Sequence, residues 1–174
     1  MKTKDLILCA LFAAIMSIFS VIAVPIGVIS ITLGVFGILL TAVVLGAKRG
    51  VISTLIFILL GAVGLPVFSG FKGGIGVLTG PSGGYILSYI PMALIAGAVS
   101  AHLDISKKSF VLRLLSCFAA VILCYLLGTL QYIFVMKGTS FASALAVCVY
   151  PFIPFDIIKC ILAVLLGERI KKRI

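Results

Sequence analysis

Charged residues are scarce in this 174-residue chain: they make up 10% of it, whereas hydrophobic residues make up 63%. Mean hydropathy is accordingly high, at +1.41. A soluble domain carries about 25% charged residues, so this composition excludes a soluble domain. The chain is therefore expected to be an integral membrane protein.

The residues that hold metals or build hydrolytic sites are also few. His102 is the only histidine, and the five cysteines form no Cys-x-x-Cys pair and have no histidine at metal-ligand spacing. We therefore expect packing cysteines, no metal and no cofactor. No Walker motif occurs, so any ATP hydrolysis that drives the function must belong to another chain.

Long apolar runs are what the chain has instead. Runs able to cross a hydrocarbon core of about 30 Å occupy 6–24, 28–46, 85–101 and 110–136, and shorter ones occupy 51–64 and 151–167. Together they predict an all-α membrane protein with six transmembrane helices. No linker or low-complexity tract divides them, so we expect one domain over residues 1–174.

Basic residues indicate the topology. With the N-terminus inside, the cytoplasmic side receives most of them: Lys2, Lys4, Lys48, Arg49, Lys107, Lys108, Arg113, Arg169, Lys171, Lys172 and Arg173. Only Lys72 and Lys137 fall in outer loops, and the acidic residues Asp5, Asp104 and Glu168 lie at cytoplasmic helix ends. The positive-inside rule then predicts a multi-pass protein of the cell membrane with both termini cytoplasmic. The net charge of +10 does not indicate nucleic-acid binding, because these residues are not clustered on one face.

A glycine-rich segment, 65–84, connects the third and fourth predicted helices on the outer side. It also carries Val67, Phe68 and Phe71, which a flexible linker would lack. The helix before it spans only roughly 21 Å, which is shorter than the hydrocarbon core. Irregular backbone at membrane depth must be buried in protein or line a cavity, so we expect a re-entrant loop that forms a cavity wall.

Asp156 and Lys159 are the only charged residues within the predicted apolar layer. An ionised group near the bilayer centre costs about 2.5 to 3.5 kcal/mol, so such groups usually mark a site. Pro154 predicts the start of the last helix, with Asp156 in its first turn and Lys159 on the same face. The pair is predicted to face the interior near the outer surface and to bind a urea-like group. The alternative is an internal ion pair that only holds the helix in place.

Other candidates lie on the remaining helices. Tyr85 opens the fourth helix and Gln131 lies in the outer half of the fifth, where each could line the cavity or make an ordinary interhelical hydrogen bond. On the first helix, small residues predict a face that packs closely, either within the protein or against a partner. These residues are Ala10 and Ala14, extended by Ala13 and Ser17.

Two other function classes are alternatives to a binding site. The segment 80–84 fits the G-x-S-x-G pattern around Ser82, but His102 is predicted across the membrane from it, so a helix start is expected rather than an intramembrane enzyme. An autonomous secondary transporter is the other alternative. It would need an ion relay through the bilayer, and a second intramembrane carboxylate is missing.

Two segments carry a family resemblance: GLPVFSGFKGGIGVLTGPSGGY at 64–85 and PFIPFDIIKC at 151–160. They resemble the BioY family, the biotin-binding S components of energy-coupling factor transporters. The resemblance implies that the chain, embedded in the lipid bilayer, captures biotin from outside. It also implies delivery inward with a transmembrane coupling subunit and a pair of cytoplasmic ATPases.

The resemblance also implies roles for individual residues. Asp156 and Lys159 bind the ligand, and the loop from Gly73 to Tyr85 closes over it, with binding residues at Gly73, Gly74, Gly83, Gly84 and Tyr85. Phe68, Phe71 and Tyr85 could cover the apolar rings of biotin, and Lys72 could meet its carboxylate. The face at Ala10 and Ala14 corresponds to the docking surface for the coupling subunit. Which polar end of biotin meets Asp156 and Lys159 is left open.

Overall fold

The computed structural model describes residues 2–26, 29–103 and 107–173, so Val28 and Asp104 of the sequence analysis lie outside the described residues. The elements within these ranges are helical apart from one short hairpin. Their order is α1 (Thr3–Val21), β1 (Ala23–Ile26), β2 (Ile29–Thr32), α2 (Gly34–Ala62), α3 (Ile75–Thr79), α4 (Gly83–Ala101), α5 (Lys107–Val135), α6 (Phe141–Cys148) and α7 (Ile153–Lys171).

The hairpin β1–β2 was not predicted. The first apolar run extends to residue 24, but α1 ends at Val21 and the chain continues into antiparallel strands, with Ala23 opposite Thr32 and Pro25 opposite Ser30. Pro25 cannot continue a helix, and β-branched residues favour extended backbone. Hydropathy alone does not distinguish a short apolar strand from a helix, so the sequence prediction was wrong here.

Helix α2 contains a reversal of the chain at Gly46. Its φ of +76° and ψ of −179° are non-helical, and glycine adopts this φ far more readily than residues with a Cβ. A Cβ on Gly50 would lie 3.3 Å from the Ala42 Cα, whereas eight residues of straight helix extend about 12 Å. The two halves, 34–45 and 47–62, are therefore folded against each other, and they match the second and third predicted helices.

Several helices are long and apolar enough to cross a membrane. In the described part of the chain there are four, with α2 counted as one, or five if α6 and α7 form one span with a bend of 51°. The predicted multi-pass membrane character is confirmed. The predicted number of six spans is not confirmed by the described residues.

The main core lies where α2 and α4 pack together, with α1, α5 and α7 around them. Leu39, Phe57, Met92 and Val164 have no exposed surface there. Gly97 on α4 allows this helix to lie close to α2, because a Cβ on Gly97 would be 2.6 Å from the backbone nitrogen of Ala47. A smaller cluster joins the hairpin to α5, α6 and the start of α7. All five cysteines are free and buried, as expected of packing residues.

A buried ion pair that was not predicted connects α5 and α7. Arg113, grouped in the sequence analysis with the cytoplasmic basic residues, has no exposed surface. Its Nη1 lies 2.5 Å from Glu168 Oε1, and its Nη2 donates to the Leu103 carbonyl over 2.5 Å. Arg113 therefore connects α5 to α7 and does more than mark topology.

Candidate functional site

A cavity lies between the hairpin, the segment that precedes α4, and the N-terminal parts of α4 and α7. It comprises about 830 Å³ of space between protein atoms, a volume that includes open solvent at its mouth. Its walls are largely apolar, and its polar groups come from separate elements. Thr32 lies on β2, Lys72 on the segment before α4, Tyr89 on α4, Tyr125 on α5, and Asp156 and Lys159 on α7.

The Asp156 carboxylate is held on both oxygens. Lys159 donates from Nζ to Oδ1 over 2.8 Å, and Tyr125 donates from Oη to Oδ2 over 2.6 Å. The side chains of Asp156 and Lys159 are only 5% and 7% exposed. Asp156 lies in the first turn of α7, as predicted from Pro154, where the helix dipole favours its charge.

This pair places an acceptor and a donor side by side in a largely apolar cavity. A carboxylate accepts several hydrogen bonds and an ammonium has three N–H donors, so each group can bind a ligand while keeping its protein partner. A ligand with neighbouring C=O and N–H groups fits this arrangement. A charged ligand end could instead bind Lys159 alone, so the geometry leaves both orientations open.

Tyr85 combines the two roles that the sequence left open. It contributes to the cavity wall, and its hydroxyl lies 3.2 Å from Thr129 Oγ1 and donates to the Cys148 carbonyl over 3.4 Å. Gly128 gives its ring space, because a Cβ there would overlap the ring. Tyr85 is thus fixed between α5 and α6 while it faces the cavity.

Gln131 holds the segment before α4. Its Nε2 donates to the carbonyl oxygens of Leu78 over 2.8 Å and Gly80 over 3.0 Å. The described cavity wall does not include it, so its contacts match the hydrogen-bonding alternative given above. Ligand contact by Gln131 stays a prediction.

Gly83 and Gly84 allow α4 to approach its neighbours closely. A Cβ on Gly84 would lie 2.7 Å from the Gln131 Cβ and 2.8 Å from the Leu127 carbonyl oxygen, and one on Gly83 would overlap the Leu78 carbonyl. Neither glycine is in the described wall of the cavity. These close helix contacts are enough to explain why both positions are glycine. A role of the two glycines in ligand binding stays a prediction.

The aromatic residues of the segment before α4 have different surroundings. Phe68 lines the cavity and is 1% exposed, with its ring edge-on to Phe57 at a centroid distance of 5.6 Å. Phe71 is 71% exposed and has a positive φ of 59°. It lies outside the described cavity wall, so its covering of a ligand stays a prediction.

Lys72, Gly73 and Gly74 follow in this segment. Lys72 lines the cavity, as the carboxylate-binding role requires. Gly73 packs against the backbone of Leu65, and Gly74 donates its N–H to the Gly61 carbonyl over 2.7 Å. The two glycines thus connect the segment to the end of α2, and their contact with a ligand stays a prediction.

Sequence reasoning missed several cavity residues. Tyr125 and Tyr89 lie within apolar helices, where a tyrosine alone gives no signal of function. Ser30 and Thr32 line the cavity from β2, which was taken for part of a helix. The hydroxyl groups of this serine and threonine, within an otherwise apolar run, were the only sequence feature that indicated a role in the cavity.

Ser82 and His102 lie at opposite ends of α4, as its N-cap and C-cap. A helix of 19 residues extends about 28 Å, so His102 cannot act as a base for Ser82. Ser82 contributes to the cavity wall, where it begins the helix.

The small-residue face of α1 is partly buried and partly exposed. Ala10 and Ala14 are exposed, whereas Ala13 is 1% exposed. Ser17 donates to the Ala13 carbonyl over 2.9 Å. Ala13 therefore packs within the protein, as the first alternative for this face predicted, because it faces the main core. Ala10 and Ala14 remain available to a partner.

Comparisons with known proteins agree with the resemblance noted in the sequence. The protein named biotin transporter BioY of Rhizobium etli is 36% identical over 98% of this chain and 94% of its own length. The protein of the same name from Thermotoga maritima is 38% identical over 97% of this chain and 96% of its own. A crystal structure described as the S-component for biotin from an ECF-type ABC transporter matches with a TM-score of 0.86 and 29% identity, covering 99% of this chain and 95% of that one. The model of the BioY family matches residues 1–174, and the chain belongs to that family.

Proposed function

We propose that this chain captures biotin at the outer face of the cell membrane and delivers it inward as the S component of an ATP-driven energy-coupling factor transporter. One observation carries the proposal: a buried ion pair, Asp156 and Lys159, lines a cavity together with apolar and aromatic side chains. The family, the names of the relatives and the described ligand of the matching crystal structure identify biotin as the ligand that such a cavity would hold.

The chemistry of biotin fits the cavity. Its ureido ring presents two N–H groups and one C=O, which suit the Asp156 carboxylate and the Lys159 ammonium. Its fused apolar rings suit Phe68 and Tyr85, and its carboxylate suits Lys72 at the cavity wall. The opposite orientation, with the biotin carboxylate on Lys159, keeps the same function.

The proposed topology has six spans, with both termini in the cytoplasm. The reversal at Gly46 supports counting the halves of α2 separately, and α6 with α7 then forms the last span. Most described basic residues lie at the helix ends opposite the cavity, in accord with the positive-inside rule. The burial of Phe68 supports a re-entrant segment before α4.

Energy for transport must come from other subunits. The chain has no Walker motif, so we assign ATP hydrolysis to a cytoplasmic ATPase pair and force transmission to a transmembrane coupling subunit. The exposed Ala10 and Ala14 on α1 are the proposed docking position, since small residues allow close helix contact. No catalytic role is proposed, because Ser82 and His102 are too far apart to react together.

The test begins with small molecules that copurify with the protein. Mass spectrometry of the denatured sample is expected to detect biotin, and calorimetry after its removal should give tight, stoichiometric binding. In liposomes, biotin uptake should require the coupling subunit and the ATPases. Uptake by this chain alone, driven by an imposed ion gradient, would instead establish a secondary transporter. Absence of biotin binding in a folded sample would refute the ligand assignment.

A further inference from the structure

A second opening lies at the other end of the helices, where the start of α1, the Gly46 reversal and the ends of α4 and α7 meet. We call it the basic crevice, lined by Lys4, Asp5, Leu8, Val44, Leu45, Gly46, Ala47, Lys48, Arg49, Ala101 and Lys171. Asp156 lies in the first turn of α7 and Lys171 ends the helix, about 22 Å apart along it. The basic crevice is therefore separate from the biotin cavity.

The charges around the basic crevice are unbalanced. Four of its side chains are cationic and one, Asp5, is anionic. Asp5 pairs with Arg49 over 3.0 Å, and Lys171 donates to the Ser100 carbonyl over 2.5 Å. Lys48 is exposed and makes no ion pair with any described residue. The exposed ammonium of Lys48, with further basic side chains beside it, favours an anion at this position.

The walls of the basic crevice are apolar. Leu8, Val44, Leu45 and Ala101 also line it, and of these Leu8 is half-buried and Ala101 is exposed. A free phosphate ion would satisfy the cations and leave these walls uncovered. A glycerophospholipid presents a phosphate followed by apolar chains, so it matches both the charge and the walls.

From this charge and shape we propose that the basic crevice binds the phosphate headgroup of an anionic phospholipid. The ammonium groups of Lys48 and Lys171 contact the phosphate, and the first acyl carbons lie against Leu8 and Ala101. The lipid then joins the ends of α1, α4 and α7 to the turn of α2. This site goes beyond biotin capture and does not depend on it.

The experiment uses the full chain in detergent, delipidated and then titrated with phosphatidylglycerol or phosphatidylcholine of identical acyl chains. Native mass spectrometry measures the bound fraction. We expect phosphatidylglycerol to bind the wild type more tightly, and the double variant Lys48→Gln/Lys171→Gln to lose about fivefold in affinity for each removed cation. The matched control is Lys108→Gln/Arg169→Gln, which removes two exposed charges outside the basic crevice and should bind like the wild type.

The outcomes separate the sources of the anion. Displacement of phosphatidylglycerol by millimolar inorganic phosphate would overturn the lipid assignment in favour of a free anion. Equal losses in the two double variants would overturn it in favour of general charge attraction. Equal affinity of the wild type for both lipids would also overturn the lipid assignment. An acidic segment of a partner protein would then be the expected occupant of the basic crevice. A normal gel-filtration profile and melting temperature verify that each variant is folded, independently of biotin.

Discussion

Tyr125 on α5 donates a hydrogen bond to Asp156 on α7 over 2.6 Å, which leaves the carboxylate fixed between a phenol and the Lys159 ammonium. The phenol is the only one of these three groups that carries no charge. It holds the second carboxylate oxygen in place, so the direction in which Asp156 can accept from a ligand depends on α5 as well as α7.

Replacing Tyr125 by phenylalanine tests this dependence. The variant loses one hydrogen bond to a charged group, a contribution of about 1.5 to 3 kcal/mol. If that bond orients Asp156 for biotin, calorimetry should show at least about tenfold weaker binding. Tyr150→Phe is the control, because Tyr150 is 63% exposed and lies outside the described cavity wall. Unchanged affinity in Tyr125→Phe would assign the phenol a purely structural role.

A double-mutant cycle at Asp156 and Lys159 separates ligand binding from ion pairing. Breaking a buried pair from one side leaves an uncompensated charge and costs about 3 to 5 kcal/mol. Asp156→Asn and Lys159→Met should therefore each lower the melting temperature in detergent, and the double variant should recover much of that loss.

Biotin affinity gives the second readout of this cycle. If the pair binds the ligand, the double variant should stay strongly impaired although it is stable again. Recovery of both stability and affinity would mean that the two residues chiefly bind each other and that the ligand is held elsewhere in the cavity.

The sequence identified this pair because a charge in an apolar run is conspicuous, and Pro154 located the helix start. It could not identify Tyr125, because nothing local indicates which way a tyrosine inside an apolar helix faces. The rotation of a membrane helix is set by its neighbours. The same limit applies to Gln131, whose hydrogen-bond partners, the carbonyls of Leu78 and Gly80, could not be predicted.

The positions of the helices were predicted better than the structures between them. The reversal at Gly46 lies at the boundary between two predicted helices, where a glycine is followed by Lys48 and Arg49. The hairpin β1–β2 was missed because its residues are as apolar as those of α1. Its contribution of Thr32 to the cavity therefore needed the structure.

Gln131 gives a prediction about the segment before α4. Gln131→Glu keeps the side-chain shape but replaces the donor amide by an oxygen that repels the two carbonyls. Two lost hydrogen bonds, at about 1 kcal/mol each, should speed biotin dissociation by roughly tenfold or more. Hydrogen exchange should also become faster in residues 75–82. Slower exchange there, or an unchanged dissociation rate, would contradict a restraining role.

Glycine at position 84 sets the distance between α4 and α5. In Gly84→Ala the added methyl group would meet the Leu127 carbonyl oxygen at 2.8 Å and the Gly128 Cα at 3.1 Å. Because backbone atoms cannot rotate away, the helices must separate, at about 1 to 3 kcal/mol, and Tyr85 must shift. We expect a lower melting temperature and weaker biotin binding.

The control for Gly84→Ala lies in the segment before α4. A Cβ on Gly76 would meet nothing within 4 Å, so Gly76→Ala should preserve both melting temperature and affinity. If Gly76→Ala proved equally harmful, the effect would reflect flexibility of glycine in this region, and the close contact of α4 with α5 would not explain it.

The exposed alanines of α1 give the last prediction, which concerns the energising partner. Ala14→Leu adds bulk where a partner helix is proposed to approach closely, and misfitting bulk costs about 1 to 3 kcal/mol at a packed contact. The yield of complex with the coupling subunit should fall by about tenfold, while biotin binding by the isolated chain stays unchanged because Ala14 lies outside the described cavity wall. Ala119→Leu on α5 is the matched control, since Ala119 is also exposed and lies on a different helix. Equal yields from the two variants would place the docking surface away from α1, whereas a selective loss in Ala14→Leu would locate it at Ala10 and Ala14.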